Sequence, residues 1–448
     1  MWFVNILLLI VGCFLVIKII EVFSVRFILL VYIIFNFVQQ SLSIIYLNRG
    51  VFVSELNTFT YYVPESAPLF IFYTDVFLFF IYLFGLKYQY KFSQRKIEKV
   101  SDASKFFCYT SLVVTLGFLL YTFMDLLISG IPMFKTDMTH YNYYSGYSTL
   151  PFASTVNNLI GLFMYILGYS YVHIRKKSFK IICVLIVIFS ILIRLLMGFR
   201  MSGLINIPLN FISVAVLISN KEFNSIRQIL KPRYVFIAIS IIIASLSFFV
   251  ISSISNGSAK DINDVFIILE NRAFGLGNHL WWALEADNYN GNDIYFHNLS
   301  NELNVLLTGK NQYDIDTGVY YLMRKYGYNY IVKVDIKTGI RYATPFITTA
   351  VFNFGYILSI PFIALISRII VLFINNIDRA VKDDRVIQFI LLCKIWGTFV
   401  TYVTASGTLA EWLNPENYIY LLIYLFLRYG FNSRFTLDNR ERRLNLHE

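Results

Sequence analysis

Charge is scarce in this chain. Of its 448 residues, 15% are Asp, Glu, Lys or Arg, against about 25% in soluble globular domains, while 57% are hydrophobic and 18% aromatic. That balance excludes a water-soluble domain with a polar surface. Cysteine is scarce too: Cys13, Cys108, Cys183 and Cys393 all fall inside apolar runs, where they act as small hydrophobes and build no disulfide framework. No His/Cys cluster has zinc spacing, no P-loop or G-x-G-x-x-G occurs, and there is no G-x-S-x-G elbow. No metal and no cofactor are expected.

What the chain has in abundance is long apolar runs. They recur from end to end at about 18–25 residues, enough at 1.5 Å per residue to cross roughly 30 Å of hydrocarbon. Spans are expected near 1–20, 26–47, 68–86, 106–128, 151–172, 180–198, 203–219, 234–254, 346–374, 386–405 and 416–430, about eleven in all. The first run, MWFVNILLLIVGCFLVIKII, has neither a basic leader nor a small-residue cleavage site and reads as a retained span. The net charge of +11 does not point to nucleic acid, because the basic residues alternate with the spans. Segments 87–105, 173–180, 220–233, 375–385 and 428–448 are basic and fall on one side, whereas the short opposite loops carry little beyond Arg49, Lys135 and Arg200. The positive-inside rule therefore places the N-terminus outside and the C-terminus in the cytoplasm. The hairpin ILIRLLMGFRMSGLINIPL holds Arg194, Gly198, Arg200, Gly203 and Pro208 and is the one pair of spans open to a broken or re-entrant reading. The expected architecture is an all-α polytopic membrane protein: a bundle over 1–254, a large external, partly helical loop over 255–345, a second bundle over 346–430, and a basic cytoplasmic tail over 431–448.

The long loop is too rich in Trp, Tyr, Leu and Ile to be disordered. It opens on NRAFGLGNHLWWALEADN, residues 271–288. A helix is expected from Asp261 to about Ala286, with Asp261 or Asn263 as N-cap, and it would put Arg272, Leu276 and His279 on one face. Trp281 and Trp282 suit either an interfacial amphipathic helix or a platform for sugar rings. Arg324 follows an aromatic helical run, and Arg341 stands just before the next span, at the headgroup plane with Arg194 and Arg200. A guanidinium is a permanently charged planar fork that matches phosphate oxygens two at a time, so external arginines suit a lipid phosphate or diphosphate. Within the spans, Asp75, Asp125, Arg194, Arg368 and Lys394 are costly in hydrocarbon, and Lys394 reads as the deepest. His140 and Asp137 lie in a tyrosine-rich loop that reads equally as a sugar-contact surface or an aromatic belt.

Taken together, the spans, the single large late loop, NRAFGLGNHLWW at its start and GIRYATPFITTAVFNFGYI leading out of it resemble the Wzy-type O-antigen polymerases of Gram-negative bacteria. The architecture is covered nearly throughout; the motif-like part is confined to about 270–285 and 318–356. The resemblance implies a fold like that of GT-C enzymes and O-antigen ligases, in the bacterial inner membrane with its active face in the periplasm. It implies a substrate made of an oligosaccharide repeat unit on undecaprenyl diphosphate, and as partners a flippase and a chain-length regulator of the same pathway. Arg200, Arg272 and His279 match the external arginines and loop histidine of the related ligases. On this reading Arg200, Arg272 and Arg341 hold the departing diphosphate, Arg194 and Arg324 assist binding, and Trp281 and Trp282 contact sugar. His279, with an ordinary pKa of about 6.5, serves as base, and Glu285 is the second candidate. The competing readings are an O-antigen ligase, another GT-C-like lipid-linked glycosyltransferase, and a lipid-linked oligosaccharide flippase.

Overall fold

A computed structural model describes residues 2–89, 102–135, 138, 140, 142–198, 201–218, 250, 261–275, 277–290, 297–308, 317–338, 341–383 and 385–444. The expected span at 234–254 lies outside the described residues save for one position, as does Arg200. The protein is a helical membrane protein. Among the described residues, six helices are long and apolar enough to cross a membrane. In hydrocarbon the backbone has no water to bond, so each apolar run closes its hydrogen bonds on itself as a helix.

The long helices are α1 (Trp2–Phe23), α2 (Val31–Leu47), α3 (Ser66–Gln89), α4 (Asp102–Ser129), α5 (Ala153–His173), α6 (Lys177–Leu196) and α7 (Met201–Ile218). After the long loop come α13 (Phe346–Lys382), α14 (Val386–Thr401) and α15 (Pro415–Leu444). Between the two groups the described residues form the short helices α8 (Ile262–Glu270), α9 (His279–Tyr289), α10 (His297–Thr308), α11 (Gly318–Tyr326) and α12 (Asn329–Thr338). The only strands among the described residues are β1 (Phe52–Val53) and β2 (Thr58–Phe59), an antiparallel hairpin pairing Phe52 with Phe59. Two apolar helices, α2 and the Asn206–Ile218 part of α7, are shorter than a full crossing, and α15 runs as helix through most of the stretch read from sequence as a tail.

Packing divides the bundle into neighbourhoods. One joins α1, α3 and α13; another joins α4, α5, α6 and α7; and α14 bridges to α5, α13 and α15. α1 is the peripheral member: it buries Asn5, Leu15, Ile19, Val22 and Phe23 and leaves Phe3, Ile6, Leu7, Ile10 and Phe14 exposed. Polar glue recurs where helices meet, as in the Ser111–Ser170 hydroxyl pair at 2.9 Å between α4 and α5. α5 and α7 approach so closely that a Cβ on Gly168 would stand 2.4 Å from the carbonyl oxygen of Phe211. Gly168→Ala is therefore expected to lower stability by about 1–3 kcal/mol through overpacking against backbone that has no rotamer to yield, read as a drop in the thermal unfolding midpoint in detergent.

The intramembrane charges resolve unequally. Asp125 is fully buried and accepts from the Ser129 and Ser148 hydroxyls and the Leu150 amide, so it ties the loop after α4 to the helix end. Lys394, read as the deepest charge, is a quarter exposed, with its ammonium 4.0 Å from Glu416 at the start of α15. Asp75 is buried against α1, at the position of Gly12.

Two of the sequence expectations are corrected. The helix predicted over Asp261–Ala286 is split. Asp261 does cap α8, accepting from the Asp264 amide at 2.8 Å, but the helix loosens into a π-turn at Asn271–Gly275 and restarts at His279. The cause is tertiary: the Ser43 hydroxyl of α2 takes the Phe274 carbonyl, and the Tyr46 hydroxyl reaches Asn271, so the turn is opened by its neighbour. The single span predicted over 346–374 is also interrupted, at Gly355, whose φ of 71° ends one helix and lets Tyr356 begin the next in a new direction.

Candidate active site around the buried carboxylate Glu285

α9 is the element that organises the site. Eight consecutive residues, His279–Ala286, are buried, so nearly every face of the helix is covered. It is wedged among α2, α3, α11 and α13, and Trp281, Trp282, Ala283 and Ala286 join the same apolar core as the long helices. The tryptophans are enclosed by protein. Trp281 is fully enclosed, edge-on to Phe70 at 5.3 Å, and its indole donates to the Ser66 carbonyl at 2.9 Å; Trp282 meets Tyr61 at 5.2 Å and donates to the Tyr61 carbonyl at 3.1 Å. Indole N–H groups buried in this way need acceptors; Tyr61, in the strap after β2, supplies one and Ser66, the first residue of α3, supplies the other.

Glu285 sits in the middle of this wedge, 3% exposed. The Tyr356 hydroxyl lies 3.0 and 2.9 Å from its two oxygens, the Asn288 amide donates to that same hydroxyl at 2.8 Å, and the Tyr73 hydroxyl anchors the Tyr356 carbonyl at 2.7 Å. Burial pushes the Glu285 carboxyl up to about 7; the Tyr356 bond opposes the rise and the Glu65 charge adds to it. One hydroxyl proton cannot satisfy two carboxylate oxygens, and no cation stands among the partners that tune this group. A carboxyl poised near neutrality can take a proton from a hydroxyl or return it, which is the property a general acid–base group needs.

Two residues further on, on the opposite side of α9, Asp287 is held differently. It accepts from the Tyr326 hydroxyl at 2.9 Å and pairs with Lys325 at 2.7 Å. Burial, followed by the Asp287 charge, raises the Tyr326 phenol well above its ordinary value. Along this side runs an open groove of about 190 Å³ whose walls include Trp282, Ala283, Ala286, Asp287, Asn290 and Tyr326. Two alanines, an aromatic edge, a carboxylate, an amide and a phenol make a surface suited to a polyhydroxylated ligand, with little side-chain bulk to obstruct it.

The remaining site candidates distribute unevenly. His279, at the first turn of α9, is 1% exposed and packs 5.1 Å from the ring of Tyr342, next to Arg341. Arg324 ends α11, and the apolar face of α11 (Val319, Tyr320, Leu322, Met323) shares a small core with Tyr342 and Leu280. Thus His279, Trp281, Trp282, Glu285, Arg324 and Arg341 belong to one neighbourhood, and both arginines are half-buried in it. Arg194 is elsewhere: it donates to the Asn157 carbonyl at 3.2 Å, in the α4–α7 neighbourhood that α9 does not join. Arg272 is described only by its backbone, in the π-turn beside α2, and its side chain lies outside the described residues. Among the described residues, no group of three His, Cys, Asp or Glu side chains could hold a metal.

Sequence reasoning missed Tyr356, Tyr73 and Asn288. The available signal was faint: a tyrosine directly after glycine in NFGYI, inside an otherwise apolar run. Glu302 was missed as well. It is fully buried, accepting from the Asn353 amide at 3.1 Å and the Leu409 amide at 2.8 Å, and so joins α10 to α13 and to the turn after α14.

Residues 312–434 match the model of a family of unknown function, DUF6418. The matched stretch takes in Arg324, Arg341, Tyr356 and α11–α14, and it stops short of α9 on the N-terminal side. No curated protein and no solved structure matches the chain.

Proposed function

We propose that the protein polymerises undecaprenyl-diphosphate-linked O-antigen repeat units by glycosyl transfer at the periplasmic face of the inner membrane. The observation that carries this reading is Glu285, a buried carboxyl with a pKa of about 7 on α9, the helix whose Trp282, Ala283, Ala286 and Asp287 line a groove suited to sugar. In the proposed arrangement about eleven crossings place the N-terminus in the periplasm and the C-terminus in the cytoplasm, in a GT-C-like fold, with a flippase and a chain-length regulator as partners.

The acceptor hydroxyl attacks the anomeric carbon of the donor glycan. Its proton passes to the Glu285 carboxylate as the new C–O bond forms, and the bond from the anomeric carbon to the diphosphate oxygen breaks. Charge develops on the leaving diphosphate, which Arg272, Arg200 and Arg341 hold, with Arg324 assisting in binding. Glu285 thereby takes the base role first expected of His279, which packs beneath Tyr342 and orients the Arg341 segment. Trp282 lines the sugar groove, whereas Trp281 fixes α9.

A lipopolysaccharide gel of a deletion strain tests the activity. The expected pattern is lipid A–core bearing one repeat unit, and an Arg272→Ala variant present at wild-type level in the membrane gives the same pattern. Bare core in the deletion strain would identify a ligase instead, and an unchanged ladder would remove the reading altogether.

A further inference from the structure

A second recess lies between the first turn of α1, the last turn of α2 and the strap before α3. It is more enclosed than the groove along α9, about 60 Å³, and its walls include Trp2, Asn5, Asn48, Arg49, Tyr62 and Ala67. By volume it holds several water-sized groups, the scale of a tetrahedral oxyanion and too small for a sugar ring. Arg49 has no carboxylate in salt-bridge reach among the described residues; its guanidinium stands 5.8 Å over the Trp2 ring. Asn5, 8% exposed, lines the recess with an amide oxygen that has no hydrogen-bond partner. Amide orientation is interchangeable, so the same side chain can present its NH₂ to an anion. The recess opens beside the exposed apolar side of α1, where Phe3, Ile6, Leu7 and Ile10 are each more than half exposed.

We propose that this recess binds the phosphodiester of a membrane phospholipid, with the phosphate between Arg49 and Asn5 and an acyl chain along α1. A permanently charged fork, an amide and an aromatic pair form the polar end; the adjoining apolar stripe distinguishes a lipid from free phosphate. Among the described residues no carboxylate lines the recess to receive an ammonium, which favours a glycerol headgroup over ethanolamine. The bound lipid braces the strap from Tyr61 to Ser66, whose two end carbonyls hold Trp282 and Trp281, and Asn48 already clamps that strap at Val63. This inference is independent of the glycosyl-transfer reading, and its test uses no activity.

Native mass spectrometry of the full-length protein in detergent, titrated with phosphatidylglycerol, decides it. A bound-lipid adduct is expected that falls at least fivefold in Arg49→Ala, falls less in Arg49→Lys and is unchanged in Lys87→Ala at the other end of α3. Should Arg49→Ala not fold, Asn5→Leu fills the recess and loses the same adduct. Equal adducts in wild type and both variants would overturn the site. Displacement of the lipid by millimolar inorganic phosphate would overturn the lipid assignment, and equal retention of phosphatidylethanolamine would overturn the headgroup.

Discussion

Glu285→Gln is expected to be inactive in chain extension and more stable than the wild type at pH 8. Stability changes because the folded state raises this carboxyl from 4.5 to about 7. Folding therefore favours its protonated form. The stability carried by that proton is complete below about pH 4.5, the unfolded value, and is lost as pH rises through about 7. At 1.36 kcal/mol per pH step, a rise of about 2.5 corresponds to roughly 3 kcal/mol that the wild type gives up at pH 8. Glutamine is neutral at every pH, keeps an oxygen for the Tyr356 hydroxyl and avoids that loss. It also cannot take a proton, so polymer length should collapse to single units, by at least 100-fold in extension rate. Thermal unfolding of both proteins at pH 5 and pH 8 provides the check: the difference should be present at pH 8 and small at pH 5. Wild-type extension should fall about tenfold per pH step below 7, as base catalysis requires. An active Gln variant, or a wild-type rate flat across pH 7, would remove Glu285 from the chemistry.

The second large effect belongs to Glu302. Its carboxylate is fully buried, and both oxygens are in use, one for Asn353 of α13 and one for the Leu409 amide that opens the turn after α14. Glu302→Ala removes the acceptor of both donors at once and leaves a buried gap, a combination worth about 3–5 kcal/mol. Most of the protein should be lost from the folded, monodisperse fraction on size-exclusion chromatography. Glu302→Gln retains one acceptor oxygen and should recover roughly half of the folded fraction. Equal yields of Glu302→Ala and wild type would mean that the three elements are held by their apolar contacts alone.

How far the sequence carried these conclusions depended on whether the determining contact was local. Apolar runs at 68–86, 106–128, 151–172 and 386–405 became helices with ends displaced by only a few residues, because a hydrocarbon environment leaves an apolar segment no alternative conformation. The Asp261 cap was equally legible, being a bond to a residue three places away. The break at Asn271–Gly275 was not, since Ser43 makes it from far along the chain. The candidate site follows the same division. Glu285, His279 and the tryptophans stand out in composition, but what distinguishes Glu285 chemically is enclosure and a phenol supplied from α13. The role of the tryptophans as anchors depends on the Tyr61 and Ser66 carbonyls, which no pattern in residues 271–288 encodes.

The bond from Tyr356 to Glu285 spans 71 positions of chain. Nearly four fifths of the 448 residues can therefore be synthesised before the phenol that partners this carboxyl exists at all. A nascent or truncated chain would hold the glutamate without its phenol, so the pair that tunes this carboxyl is completed only late in translation, as α13 is added.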